Sequence, residues 1–203
     1  NSLLRADYRA RQIVLKSLPG IWRFLDWLPV KGPLAELEGG PVTYKSHGLA
    51  RELGLERLFI SFNGFWPENG AASPTGSFKD LEAAPTMQML GERKDRPTLV
   101  VASAGNTARA FAHVSLLTGQ HLLLFVPEKA LSRMWTVLPE DKRGGADQLK
   151  LIAVRGDYYD AIVVAEKFQS LPGNVAEGGA RNIARRDGMG TVMLDCALSL
   201  KEL

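Results

Sequence analysis

The stretch Thr98-Leu-Val-Val-Ala-Ser-Ala-Gly-Asn-Thr107 joins two different hydrophobic patterns. Its first five residues form a short apolar run, which is typical of a strand buried on both faces. Over residues 107–117, apolar residues recur every three or four positions and predict an amphipathic helix. Further strand-like runs lie at residues 58–62, 122–126 and 149–154, and a second helical pattern at 158–168. This alternation predicts an α/β fold in which a parallel sheet is covered by helices on both faces.

The composition limits the classes of protein to consider. The chain has 203 residues, of which 45% are hydrophobic and 23% charged, as is usual for folded globular proteins. The net charge of +3 is small and no long basic tract occurs, so nucleic-acid binding has no support. Cys196 is the single cysteine, which fits a reducing compartment. No apolar stretch approaches the roughly 20 residues that cross a bilayer, and we expect a cytoplasmic protein without membrane partners.

The segment Ala72-Ser-Pro-Thr-Gly-Ser-Phe-Lys-Asp80 predicts a tight turn and then a helix that begins near Lys79. A phosphate-binding P-loop needs Gly before Lys and Ser or Thr after it. Phe78 and Asp80 occupy these positions, which excludes a P-loop. The positive end of the helix dipole lowers the pKa of a lysine at a helix start, which suits a Schiff-base amine. The alternative is a solvated lysine. Pro85 further predicts a short or kinked helix.

The segment Ser103-Ala-Gly-Asn-Thr107 lies where the apolar run meets the following helix. At the carboxyl end of a parallel strand, the backbone N–H groups of such a turn bind anions. Gly105 allows close approach of a ligand, and Asn106 adds a side-chain amide. The alternative is an ordinary helix cap. The residues alone leave both possibilities open.

These two motifs, in this order, resemble segments of the pyridoxal-phosphate enzymes of the tryptophan synthase β-like fold (fold type II). The resemblance implies that Lys79 forms the Schiff base with pyridoxal 5'-phosphate and moves protons. It places Phe78 among the cofactor-binding residues and implies that Asn106 hydrogen-bonds the pyridoxal ring. It also implies a substrate-carboxylate site formed by Ser103, Ala104, Gly105, Asn106 and Thr107.

Among these enzymes, the chain is similar to the threonine synthase group. The similar segments are Gly20-Ile-Trp-Arg-Phe24, Ala176-Glu-Gly-Gly-Ala-Arg-Asn182 and Arg186-Asp-Gly-Met-Gly-Thr191. Threonine synthases usually follow Ser-Phe-Lys-Asp with Arg-Gly, whereas this chain has Leu81-Glu-Ala83. That variant resembles the cysteate synthases, relatives of the threonine synthases, as do Ile60-Ser-Phe-Asn-Gly64 and Val154-Arg-Gly-Asp-Tyr-Tyr-Asp160.

The resemblance implies a β-replacement in which sulfite displaces the phosphate of O-phospho-L-serine to give L-cysteate. The alternatives are a threonine synthase acting on O-phosphohomoserine and a non-catalytic remnant that binds anions or another subunit. Both substrates of the β-replacement are anionic, and Lys45, Arg109 and Arg181 are candidates to bind them. No spacing of histidines, cysteine and carboxylates predicts a metal site. We expect a homo-oligomer.

The resemblance also predicts the domain organisation. Residues 1–57 would form an N-terminal arm and the first part of a large domain, and residues 58–203 an α/β small domain and its return into a truncated large domain. Residues 139–146 are predicted to form a surface loop. The family's phosphate-binding segment Gly-Ser-Gly-Thr-Gly-Gly does not occur. We therefore expect a truncated chain that binds pyridoxal phosphate weakly or not at all.

Overall fold

The computed structural model describes residues 3–34, 37–135 and 147–201, and the loop predicted at residues 139–146 lies outside them. In chain order, the strands and helices are β1 (Val42–Lys45), α1 (His47–Glu52), β2 (Phe59–Phe62), β3 (Phe65–Trp66), β4 (Ala71–Ala72), α2 (Lys79–Gly91), β5 (Thr98–Ala102), α3 (Asn106–Thr118), β6 (Leu122–Pro127), β7 (Leu149–Val154), α4 (Tyr158–Gln169), β8 (Asn174–Ala176) and α5 (Ile183–Lys201). Short 3-10 helices span Gly20–Trp27, Pro67–Asn69, Glu128–Arg133 and Gly179–Arg181.

Four parallel strands form the central sheet in the order β7-β6-β5-β8. The predicted parallel sheet is therefore confirmed. From β5 the chain adds β6 and then β7 on one side, and it returns to β8 on the other side of β5. The carboxyl ends of β5 and β8 are thus neighbours, at the place where the order of the strands reverses. Ligands of open parallel sheets bind at such places.

Helices cover both faces of this sheet, as the sequence predicts. Because side chains alternate along a strand, Leu99 and Val101 of β5 face one way and pack in the core that contains α2 and α3. Val100 faces the other way and packs with Ala161 and Ala165 of α4. All five side chains are at most 1% exposed.

The apolar run at residues 58–62 forms a strand outside the parallel sheet. Strand β2 pairs antiparallel with β1, so that Val42 lies opposite Phe62 and Lys45 opposite Phe59. An apolar run indicates a strand without indicating its partner, which is why the sequence pattern placed this strand in the wrong sheet. Strands β3 and β4 form a further antiparallel pair.

Helix α2 is not shortened by Pro85, and α5 packs closely against it at this point. Pro85 has no N–H group, so the Leu81 carbonyl one turn earlier loses its usual helical donor. Gly188 of α5 lies against this carbonyl: a Cβ atom on Gly188 would be 2.0 Å from the Leu81 oxygen and 2.8 Å from Pro85 Cγ. The helix continues to Gly91, and the absence of a side chain at Gly188 permits the close approach.

The aromatic and aliphatic residues of the 3-10 helix Gly20–Trp27 form an N-terminal cluster that packs within the chain. Three large apolar side chains of this 3-10 helix are buried: Ile21, Trp22 and Phe24. Trp22 Nε1 donates a hydrogen bond to the Leu37 carbonyl at 2.7 Å. Arg23 Nη2 lies 2.6 Å from Asp195 Oδ1 and ties the cluster to α5. The predicted domain boundary after residue 57 stays a prediction. Among the described helices, none is both long enough and apolar enough to span a bilayer.

Candidate active site

A tight turn leads into α2 and places Lys79 at its first position. Gly76 has a φ of +67°, in the left-handed region that favours glycine. The Ser77 hydroxyl accepts a hydrogen bond from the Lys79 backbone N–H at 3.2 Å. Asp80 folds back over the turn, and its carboxylate accepts from the Thr75 N–H at 2.9 Å and from the Thr75 hydroxyl at 2.7 Å. The predicted turn and helix start are confirmed.

The carboxylate of Asp80 is buried under this turn. Burial raises the pKa of Asp80 to about 6, although the hydrogen bonds from Thr75 and the positive charge of Arg109 act in the opposite direction. The group is 6% exposed. Asp80 therefore fixes the loop that precedes Lys79.

The amine of Lys79 is held by two neighbours. Lys79 Nζ lies 2.6 Å from Glu82 Oε1 and 4.6 Å from the centre of the Phe78 ring. The Lys79 side chain is 22% exposed, so it is partly buried and not fully solvated. Cation–aromatic contact and ion pairing both stabilise an ammonium group in this position.

Glu82 continues into a network of alternating charges. Its second oxygen accepts from Arg185 Nε at 2.6 Å and also from Arg185 Nη2. Arg185 Nη1 donates to Glu177, in the turn after β8. Burial disfavours the charged guanidinium, but the two carboxylates outweigh it and raise the pKa of Arg185. The network joins α2, α5 and the turn after β8.

A cavity of about 380 Å³ opens beside this network. Its lining residues come from α2, from the turn after β8 and from α5: Lys79, Glu82, Gly179, Ala180, Arg185, Arg186 and Met189. Gly178 and Gly179 have φ values of +87° and +54° and let the chain turn sharply here. The cavity thus lies next to the carboxyl end of β8.

Among the described residues, the loop between β5 and α3 has backbone N–H groups without an acceptor. The buried hydroxyl of Ser103 accepts from the N–H groups of Ala108 at 3.2 Å and Gly105 at 3.4 Å. Within the described part of the chain, the N–H groups of Ala104, Asn106 and Thr107 have no acceptor. A Cβ atom at Gly105 would meet nothing within 4 Å, so the loop is open on this side. These donors suit a carboxylate.

Arg109 connects the two sequence motifs. Its Nη2 donates to Asn106 Oδ1 at 2.5 Å, and its charge acts on Asp80, the neighbour of Lys79. Its guanidinium carbon lies 4.5 Å from the centre of the Trp135 ring. Asn106 is exposed and does not line the cavity beside Lys79. The packing of α2 against α3 therefore makes the two motifs neighbours, although Asn106 is not among the residues that line the cavity beside Lys79.

The remaining candidates contribute less to this cavity. Arg181 ends the exposed 3-10 turn that supplies part of the wall, and Lys45 lies exposed at the end of β1. Sequence reasoning missed Glu82 and Arg185 as site residues. The spacing of three between Lys79 and Glu82 was an available signal, because such residues share a helix face. No group of His, Cys, Asp and Glu that could hold a metal ion occurs in residues 3–34, 37–135 and 147–201.

The chain is an α/β protein with a parallel sheet, a lysine at the start of α2 and an open loop after β5. The sequence model of the family described as "pyridoxal-phosphate dependent enzyme" matches residues 37–202. The chain belongs to this family, whose cofactor is pyridoxal 5'-phosphate.

The chain is similar to curated cysteate synthases. It is 55% identical over 203 residues to that of Methanococcoides burtonii, covering 100% of this chain and 48% of the relative. It is 58% identical over 193 residues to that of Methanothrix thermoacetophila, covering 95% and 45%. The chain therefore spans about half the length of the curated relatives it matches.

Solved structures show the same fold. Maize serine racemase superimposes with a TM-score of 0.57 at 19% identity, over 80% of this chain and 46% of the racemase. The processed form of threonine deaminase isoform 2 from Solanum lycopersicum gives a TM-score of 0.56 at 16% identity, over 95% and 50%. The fold is that of the fold type II pyridoxal-phosphate enzymes.

The described residues fit part of this cofactor's requirements. The Lys79 amine lines a cavity, and the Phe78 ring beside it is 41% exposed. In the described part of the chain, N–H groups without an acceptor follow β5. These groups suit a Schiff base, a flat ring and a carboxylate. A Gly-Ser-Gly-Thr-Gly-Gly segment does not occur in the 203 residues.

Proposed function

We propose that this chain forms the lysine-bearing part of a cysteate synthase, which replaces the phosphate of O-phospho-L-serine by sulfite. The products are L-cysteate and inorganic phosphate. The observation that carries the proposal is the position of Lys79, a partly buried amine at the start of α2 beside a cavity. The identities of 55% and 58% to cysteate synthases support the choice of substrates.

The proposed reaction exchanges two bonds at one carbon. The bond between the β-carbon and the phosphate oxygen breaks, and a bond between the same carbon and sulfur forms, so neither oxidant nor reductant is required. Pyridoxal phosphate, when bound, supplies the electron sink for charge left at the α-carbon. Lys79 Nζ takes the proton from the α-carbon and returns it there at the end.

The loop after β5 would hold the substrate. The N–H groups of Ala104, Asn106 and Thr107 have no acceptor in the described part of the chain and suit the substrate carboxylate. Arg109 donates a hydrogen bond to the side-chain oxygen of Asn106. This contact leaves the side-chain amide NH2 of Asn106 as the donor for the cofactor ring. The family resemblance assigns this role to Asn106.

Product analysis tests the substrate assignment. The protein expressed from the whole reading frame that contains these residues is incubated with pyridoxal phosphate, O-phospho-L-serine and sulfite. We expect L-cysteate by mass spectrometry, and none from the Lys79→Ala variant. Threonine formed from O-phosphohomoserine, with no cysteate, would refute the proposal in favour of a threonine synthase. No product from either substrate would refute it in favour of a non-catalytic remnant.

The 203-residue chain itself is expected to retain little cofactor, because it contains no Gly-Ser-Gly-Thr-Gly-Gly segment. After incubation with pyridoxal phosphate and gel filtration, we expect no strong visible absorbance. A stoichiometric band that disappears in Lys79→Ala would contradict this expectation. That the protein is a cytoplasmic homo-oligomer stays a prediction, and sedimentation of the purified protein tests the oligomeric part.

A further inference from the structure

Glu82 is the acidic group closest to the functional amine, and the family resemblance gives it no role. Its Oε1 lies 2.6 Å from Lys79 Nζ, and its side chain is 8% exposed. An exposed ion pair at this helical spacing contributes little and moves freely. A carboxylate that is this buried must instead be paired, because an isolated buried charge is costly.

The second oxygen of Glu82 fixes the orientation of the carboxylate. Arg185 binds Oε2 with two of its nitrogens, which leaves Oε1 for Lys79. Two charge-assisted hydrogen bonds from one planar guanidinium to the same oxygen fix the position of that oxygen. Glu177 holds Arg185 from the other side, and the side chains of Arg185 and Glu177 are 13% and 14% exposed. The four groups form a chain of two positive and two negative charges that is neutral as a whole.

We propose that Glu82 is a positioning residue that holds Lys79 Nζ at the cavity wall and accepts its proton when the amine reacts. In that step a bond between Nζ and hydrogen breaks, a bond between Oε1 and hydrogen forms, and no electrons are exchanged. The inference rests on the proposed function in one respect, namely that Lys79 is the residue that binds the cofactor.

This role distinguishes the chain from the threonine synthase pattern. The threonine synthase pattern continues Ser-Phe-Lys-Asp with Arg-Gly, which places a glycine at the position of Glu82. Glycine has no carboxylate. Here the carboxylate is present, and a partner 103 positions away along the chain holds it. The network therefore controls the reactivity of the amine before any cofactor is bound.

The test measures the amine directly, without cofactor. The purified chain is acetylated briefly at pH 8, and mass spectrometry gives the modified fraction of Lys79 relative to Lys94, an exposed lysine after α2. Glu82→Gln keeps the size of the side chain and removes its charge. We expect the ratio to rise at least roughly fivefold, because the ion pair that holds Lys79 Nζ against Glu82 is lost and the amine can then meet the reagent.

Glu177→Gln is the matched control. It removes a carboxylate of similar burial from the same arginine but leaves the contact between Glu82 and Lys79 in place. We expect its labelling ratio to stay within about twofold of the wild-type ratio. An unchanged ratio in Glu82→Gln, or an equal rise in Glu177→Gln, would overturn the proposal.

A second variant is used if Glu82→Gln fails to fold, which would be seen as the absence of a cooperative unfolding transition. Glu82→Asp keeps a carboxylate for Arg185 but is one methylene shorter and withdraws from Lys79, so the labelling ratio should again rise. An unchanged ratio there would equally overturn the proposal. Because labelling needs neither cofactor nor substrate, its failure is distinguishable from failure to form cysteate.

Discussion

Replacing Gly188 by alanine tests the packing that brings α5, and with it Arg185, against α2. The new Cβ atom would lie 2.0 Å from the Leu81 oxygen and 2.8 Å from Pro85 Cγ. Since one neighbour is backbone and the other a proline ring, neither can rotate away. Helix α5 must shift by roughly 1–1.5 Å before the contact with the oxygen becomes acceptable.

The magnitude follows from two opposing effects. Overpacking a close helix contact costs about 1–3 kcal/mol. Alanine in place of glycine within a helix returns about 0.5–1 kcal/mol. We therefore expect Gly188→Ala to lower the free energy of unfolding by about 1–2 kcal/mol, which is a fall of roughly 3–6 °C in Tm for a chain of this length.

Thermal unfolding followed by circular dichroism provides the assay, and Gly190→Ala is the matched control. Gly190 lies in the same helix, and a Cβ atom there would meet nothing within 4 Å. The control should therefore raise the free energy of unfolding by about 0.5–1 kcal/mol. If Gly188→Ala proves neutral or stabilising, the close contact between α2 and α5 is refuted.

Three further predictions concern single buried groups. Asp80 keeps its proton up to about pH 6 in the folded chain and gives it up near its ordinary value of 3.8 when unfolded, so its contribution to stability falls by about 2–3 kcal/mol as the pH rises through this window. Urea unfolding should show wild type losing this advantage over Asp80→Asn between about pH 4 and 6, and a difference that stays constant over this range would contradict the burial of Asp80. Trp22→Phe loses the hydrogen bond to the Leu37 carbonyl and should lower the free energy of unfolding by about 2–4 kcal/mol. Trp66 is more exposed, and Trp66→Phe should lower it by under about 1 kcal/mol. Equal losses in the two variants would be inconsistent with the buried contact of Trp22. Ser103→Ala removes the acceptor of two backbone N–H groups and should lower Tm by roughly 2–4 °C, and an unchanged Tm would show that this hydroxyl does not cap α3.

Local patterns were sufficient for the centre of the fold. The apolar runs at residues 98–102 and 149–154 coincide with β5 and β7, and the periodic pattern at residues 107–117 lies within α3. Strands buried on both faces and helices with one apolar face leave a direct pattern in the sequence. The two chemistry-bearing segments could be placed for the same reason, since each lies at the start of a helix.

Pairing between distant residues was not predictable in this way. The antiparallel pairing of β2 with β1 depends on tertiary context, and the three-residue strand β8 is too short to give a pattern. Glu82 could have been found from its spacing to Lys79, but its contact with Arg185 spans 103 positions. The charge network is therefore visible only once α5 has packed on α2.

The central claim is that Lys79 is the lysine that binds pyridoxal phosphate. Borohydride reduction of the protein from the whole reading frame, in the presence of pyridoxal phosphate, followed by peptide mass mapping, tests this claim most directly. We predict that the pyridoxyl group is found on the peptide that contains Lys79, and that Lys79→Ala abolishes this modification. Modification concentrated on another lysine, or spread over the exposed lysines, would contradict the account.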